Sequence, residues 1–285
     1  MHPTWRTAAL TAFALLMFAA NSLLCRMALG TATVDAASYS TIRIVSGAVA
    51  LVVIGALRHG GKTIGGDRSS DFLLFLYAVP FSFAYVGLTT GTGALILFGC
   101  VQLTMLLAGW RSGERLGLVQ WIGVLIAVGG LVYLLLPGLH APKPLPALLM
   151  GVAGVAWGLY SLRGRQAGDP FMRTKGNFLR AVPLVVAVSL IAWPWHALEW
   201  KGVLLAVLSG AGASAVGYVA WYAALKHLGA IRASVLQLLV PVLAALAGVA
   251  VLSEAFSLRL GLAAAFVLGG VSLTLRYSQQ STKER

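Results

Sequence analysis

The sequence predicts an all-α integral membrane protein: ten transmembrane helices arranged as two inverted five-helix repeats. Three observations predict it. The first is composition, 59% hydrophobic and 10% charged over 285 residues, where a soluble domain is about 45–50% apolar and about 25% charged. The second is the length of the uncharged runs. None of the residues between Asp71 and Arg111 carries a charge, nor between Arg115 and Lys143, nor between Lys201 and Lys226. The first run alone has room for two crossings at about 20 residues each. The runs are continuous rather than alternating, so helices and not barrel strands are expected. The third is an internal repeat. At an offset of 140 residues Glu114 falls on Glu254, Leu88 on Leu228 and Gly129-Gly130 on Gly269-Gly270.

Ten spans are expected, near 7–25, 38–57, 72–88, 93–110, 118–136, 145–162, 178–197, 203–223, 233–252 and 259–276. The hydrophilic stretches 58–71 and 163–177 read as loops, too short for a soluble domain. An even number of spans puts both termini on one side. Sixteen of the 21 basic residues then share that side, leaving Arg26, Arg43, Lys143, Lys201 and Arg259 opposite. By loop charge bias the termini are expected in the cytoplasm and the protein in the cell inner membrane. That orienting role accounts for the net charge of +13 better than nucleic-acid binding does. The first span has a leader-like outline but also a counterpart in the second half. Phe18, Asn21 and Ser22 sit in the register of Trp157, Tyr160 and Ser161, Arg26 in that of Arg165, and Arg43 in that of Arg180. It is expected to be retained. Five spans per half is odd, so the two halves (1–140 and 141–285) must cross in opposite senses, the geometry from which alternating access arises.

The acidic residues Asp35, Asp67, Asp71, Glu114, Asp169, Glu199, Glu254 and Glu284, and the histidines His2, His59, His140, His196 and His227, all fall in loops or at span ends. No metal spacing or nucleophile–base pair emerges, so neither an enzyme nor a metal or other cofactor is expected. Without a carboxylate or histidine in mid-membrane, proton coupling through such a group is not expected. Cys25 and Cys100 read as small hydrophobes. The polar residues within spans are Asn21, Ser22, Gln102, Tyr160, Ser161 and Gln237. Each is either interhelical glue or the lining of a cavity. Tyr77, Phe81 and Tyr85 share one helix face; Tyr218, Trp221 and Tyr222 share another. Phe18, Asn21, Ser22, Tyr77, Phe81, Gln102, Trp157, Tyr160, Tyr218, Trp221, Tyr222 and Gln237 are therefore the expected substrate-binding set. Trp5, Trp110, Trp193, Trp195 and Trp200 lie near span ends and read as an interfacial belt. Glu114 and Glu254 read as N-terminal charges of spans five and ten, with Ser112 and Ser253 beside them as caps. Arg26 and Arg43 are expected to flank the outer mouth and snorkel toward headgroups, with holding a substrate carboxylate as the alternative. Glycines 123, 129 and 130, with 261, 269 and 270, allow close helix approach. Pro80 and Pro241 fall where a bend could gate a cavity.

Several segments carry a family resemblance. Gly113-Glu114-Arg115-Leu116 is followed by Gln120 and Gly123; the second half has Ala230, Ala233-Ser234, Leu239 and Pro241, then Ser253-Glu254. Trp157-Gly158 in span six corresponds to Phe18-Ala19 in span one. Together these resemble the two EamA repeats of the drug/metabolite transporter superfamily, over nearly the whole chain. The resemblance implies a secondary transporter, an exporter of small metabolites such as amino acids, with aromatic or hydrophobic ones favoured by the aromatic spans. The alternatives are an exporter of drugs or other metabolites, and a non-transporting receptor or assembly subunit. The expected partners are a small-molecule substrate and the lipid bilayer, with no nucleic acid; the oligomeric state stays open and a monomer is compatible with it.

Overall fold

The computed structural model describes residues 5–59, 65–111, 117–136, 141–164, 168–192, 197–228, 233 and 236–281. Ten helices run through these residues: α1 Trp5–Gly30, α2 Ala36–His59, α3 Arg68–Tyr85, α4 Thr90–Arg111, α5 Leu118–Leu135, α6 Pro144–Gly164, α7 Pro170–Ile191, α8 Trp200–Leu225, α9 Leu239–Leu252 and α10 Leu258–Ser281. Seven of them (α1, α2 and α4 to α8) are long and apolar enough to cross a membrane; α9 is a shorter apolar helix, as is the Leu258–Gly270 part of α10. Large side chains such as Leu16, Val53, Leu125, Leu148, Leu190 and Leu246 point outward and are exposed. The polar Asn21, Arg43, Gln102 and Gln237 point inward and are buried. That inversion fits a hydrocarbon solvent.

The helix ends follow local chemistry. Asp67 caps α3, accepting from the backbone N–H of Ser70 at 3.0 Å. Asp169 caps α7, accepting from Met172 N–H at 2.9 Å, with Pro170 at its first position. Span seven thus starts at Pro170 rather than near 178, and its first turns, expected as loop, are helical. Ser257 Oγ accepts from Leu260 N–H at 3.1 Å at the start of α10. Ser253, expected as a cap there, instead ends α9 in the left-handed conformation (φ 52°). Pro241 falls in the first turn of α9, where its missing N–H costs little, so it opens that helix rather than bending its middle. Ser112 and Glu114 lie outside the described residues.

Helix α5 packs along α10, α3 and α4 against α6, α2 against α7, and α1 against α8 and α9. Glycine makes the α5–α10 seam. A methyl at Gly130 would stand 2.7 Å from Phe266 Cβ, and one at Gly270 would stand 2.5 Å from the Gly123 carbonyl oxygen. Gly129 and Gly269 meet nothing within 4 Å, so one glycine of each pair does the packing. At the end opposite the start of α1, the α1–α2 turn bridges to the segment before α8. Asp35 N–H donates to Ala197 O at 3.1 Å and Glu199 N–H to Thr33 O at 2.8 Å.

Helix α8 departs from the expected regular span. Between Trp200–Val207 and Gly217–Leu225 it runs as a π-helix, Leu208–Val216, of sequence LSGAGASAV. Such an expansion inside an α-helix often marks a functional position. Here it lays Gly210 against the Arg43 backbone carbonyl and Ser46.

Candidate functional site

Aromatic side chains from α1, α3, α6, α7 and α8 converge in the middle of the bundle. Phe18 meets Trp157 at 5.3 Å between ring centroids, Trp221 at 5.6 Å and Tyr218 at 6.0 Å. Trp157 meets Tyr218 at 4.7 Å and Tyr77 at 4.9 Å. Tyr77 stands 5.2 Å from Phe81, and Tyr160 stands 5.3 Å from Tyr222. Each such pair is worth about 0.5–1.5 kcal/mol beyond its area, so the cluster is a firm wall. The helical faces legible in the sequence are thus assembled: Phe18, Tyr77, Phe81, Trp157, Tyr160, Tyr218, Trp221 and Tyr222 lie in one connected group, all buried.

The expected polar residues join it unequally. Asn21 Nδ2 donates to the Tyr77 hydroxyl at 3.1 Å, and Asn21 Oδ1 accepts from Ser209 Oγ at 2.6 Å. Trp157 Nε1 donates to Gln237 Oε1 at 3.2 Å. Ser22 and Gln102 are buried on α1 and α4. The belt expectation suits Trp5 and Trp200, exposed near helix starts; Trp193 and Trp195 lie outside the described residues, as does the side chain of Trp110.

The central charged group was missed. Arg43 does not flank the outer mouth; it is fully buried. Its Nε donates to Ser214 Oγ at 2.9 Å, and Nη2 donates to Tyr218 at 2.8 Å and Tyr77 at 3.1 Å. Its guanidinium carbon lies 4.9 Å from the centre of the Phe81 ring. The signal was available: Arg43 falls within the apolar run 38–57, and an arginine inside a span faces the protein interior by default. Ser209 and Ser214 were missed as well, because only the π-helix turns both toward α1 and α2.

Ion pairs lie at both ends of the bundle. Arg26 does not snorkel. Its Nε contacts Glu254 Oε1 at 3.2 Å, and Nη1 donates to the Tyr85 carbonyl at 3.1 Å. Glu254 does not cap α10; its Oε2 accepts from Thr90 N–H at 2.8 Å and so caps α4. At the opposite end Arg180 Nε donates to Asp71 Oδ2 at 2.5 Å. Arg163 and Arg173 lie 3.4 and 3.7 Å from Asp67. Burial works to raise the Asp67 carboxyl, but hydrogen bonds from Ser70 and the two guanidiniums hold it below the ordinary carboxylate range. Asn177 connects this end to the centre. With its amide nitrogen turned to Asp71 Oδ1 (3.1 Å) and Arg173 O (3.2 Å), its oxygen accepts from the Tyr160 hydroxyl at 3.1 Å.

The described residues form a helical bundle with a buried aromatic centre and ion pairs toward both ends. The chain is a member of the EamA-like transporter family, whose model matches residues 145–276. It is 50% identical over 275 residues to an uncharacterized protein of Pseudomonas aeruginosa, covering 96% of each chain. It is 21% identical to an uncharacterized transporter of Clostridium kluyveri, over 73% of this chain and 72% of that one. A crystal structure 20% identical in sequence superposes with a TM-score of 0.64, covering 94% of this chain and 97% of the other, and so shares the fold.

Proposed function

We propose that the protein is a secondary transporter that exports small metabolites, amino acids with aromatic or hydrophobic side chains in particular, across the inner membrane by alternating access. Residues 1–140 and 141–285 act as two inverted EamA repeats with the substrate between them, and both termini face the cytoplasm. With Arg43 buried, four basic residues remain on the opposite side, which strengthens the charge bias. The observation that carries the reading is the central cluster, in which aromatic walls enclose a hydrogen-bonded core of Asn21, Arg43, Tyr77, Ser209, Ser214 and Tyr218.

The two ion-paired ends supply the gates. Arg26–Glu254 ties α1 to the segment after α9, and Asp71–Arg180 ties α3 to α7. Opening one while the other stays shut exposes the centre to one side at a time. Tyr160 and Asn177 link the substrate wall to the Asp71 gate, so a solute leaning on Tyr160 shifts that gate's balance. Net movement follows the substrate's own gradient or its own ionisation, since these carboxylates are held in ion pairs at the ends. The test is flux in proteoliposomes carrying the purified protein, with uptake of labelled phenylalanine, leucine and a nucleoside compared with protein-free vesicles. Saturable uptake of the amino acids supports the reading; vesicles no more permeable than controls to every solute refute it.

A further inference from the structure

The geometry points to Arg43 as an anion-binding residue: the solute carries one carboxylate that the Arg43 guanidinium holds, with its apolar or aromatic body against the rings. The inference rests on the transport reading and names the chemistry of its substrate.

Three observations carry it. Arg43 is fully buried, yet its partners are neutral: a serine and two tyrosines. Among the described residues the acidic side chains in ion pairs are engaged elsewhere, Glu254 by Arg26, Asp67 by Arg163 and Arg173, and Asp71 by Arg180. A desolvated guanidinium with no countercharge is an expensive arrangement to retain. The second observation is that Arg43 Nη1 has no hydrogen-bond partner among the described residues. The third is that two other buried donors, Trp221 Nε1 and Gln237 Nε2, likewise have no partner among the described residues. Both belong to residues bound into the aromatic cluster, Trp221 through Phe18 and Gln237 through Trp157. Three buried donors in or against the aromatic centre thus stand without an acceptor, and a carboxylate brings two acceptor oxygens and the missing charge.

The count of charges sets the class. One arginine balances a monoanion; a phosphate dianion would leave a net charge in a desolvated site walled by rings. The walls select the remainder of the molecule. A solute whose only charge is positive would be repelled by Arg43, and one without a carboxylate would leave it uncompensated; an amino acid qualifies through its carboxylate. An anionic lipid headgroup is a poor occupant, because Arg43 lies within the bundle rather than on its lipid face.

The test uses the full chain in detergent and compares phenylacetate, phenylacetamide and phenethylamine, which share a ring and differ in charge. Binding is read by calorimetric titration and by thermal shift. Phenylacetate is expected to bind at least about tenfold more tightly than either analogue, the ratio expected when a charge-assisted hydrogen bond is lost. R43Q should erase the difference, whereas R43K, which keeps the cation, should keep a preference for phenylacetate at lower affinity. Equal binding of the amide, an unchanged preference in R43Q, or no binding of phenylacetate at millimolar concentration overturns the inference. The comparison within the wild type decides the matter even if R43Q fails to fold. Flux in proteoliposomes separates this inference from the one beneath it. Transport of uncharged solutes with carboxylates excluded sinks the anion site and spares the transporter. Phenylacetate held through Arg43 with no solute moved does the reverse.

Discussion

Replacing Glu254 by glutamine should loosen one end of the bundle and leave the other intact. The Glu254 carboxylate bridges two partners, Arg26 Nε at 3.2 Å and Thr90 N–H at 2.8 Å. A glutamine oxygen can keep the bond to Thr90, but the charge that engages Arg26 is gone. Arg26 would retain its bonds to the Tyr85 and Val86 carbonyls. A hydrogen bond to a charged group is worth about 1.5–3 kcal/mol net. The Arg26 and Glu254 side chains are 24% and 11% exposed, so partial screening puts the loss near the lower end, about 2 kcal/mol. At about 1.4 kcal/mol per factor of ten, the population open at that end rises about 30-fold. Cys25 reports it without engineering a probe. It is fully buried and adjoins Arg26 in α1, on the inner side of the ion pair. In a C100A background, E254Q should speed maleimide modification of Cys25 by up to about 30-fold at constant pH. Unchanged or slower modification in a folded E254Q protein would refute the claim that this ion pair closes the end.

Other expectations are as concrete. At the α5–α10 seam G130A and G270A should each cost about 1–3 kcal/mol by overpacking, because the new methyl meets atoms at 2.7 and 2.5 Å; melting temperatures against G129A and G269A, which meet nothing within 4 Å, are the check. At the Asp67 end the folded-state carboxyl lies below its ordinary range. Its contribution is therefore present at neutral pH and lost as pH falls through the lowered value, under about pH 4. D67N should flatten that acid limb of the melting-temperature profile, and an unaltered limb counts against the ion cluster. Deleting Gly212, whose added methyl would meet nothing within 4 Å, should convert the π segment to α while preserving the faces on either side. The protein should melt within a few degrees of the parent, yet flux should fall at least about tenfold because Ser209 and Ser214 no longer reach Asn21 and Arg43.

The apolar runs made the helices legible, because a lipid-facing helix advertises itself by composition alone. Boundaries went astray where capping chemistry outweighed hydropathy. Asp169-Pro170 starts α7 eight residues before the apolar run does, and an acidic cap followed by proline is a signal in its own right. The aromatic half of the site was legible because Tyr77, Phe81 and Tyr85, and Tyr218, Trp221 and Tyr222, repeat at helical spacing. The polar half was not, for a different reason. A charge just past the end of an apolar run looks the same in sequence whether its neighbours roof it over or leave it in the headgroups, and Arg26 fell to that ambiguity. Arg43, inside the run 38–57, carried the signal of its own position. The π-helix was hidden because small residues such as those of LSGAGASAV are as compatible with an ordinary helix. Only the close seat of Gly210 on α2 demands the extra width.

The short backbone stitch between Thr33–Asp35 and Ala197–Glu199 restricts how that rim of the barrel of helices can part. Two hairpins fastened crosswise swing as a single leaf. On the proposed gating, a doorway there is cut along the other edge, where the Arg26–Glu254 ion pair acts as the bolt. The stitch then serves as the jamb: main-chain bonds backed by the Asp35 carboxylate, which accepts from the Ala197 N–H at 3.1 Å, hold the position of the opening fixed while its state remains adjustable.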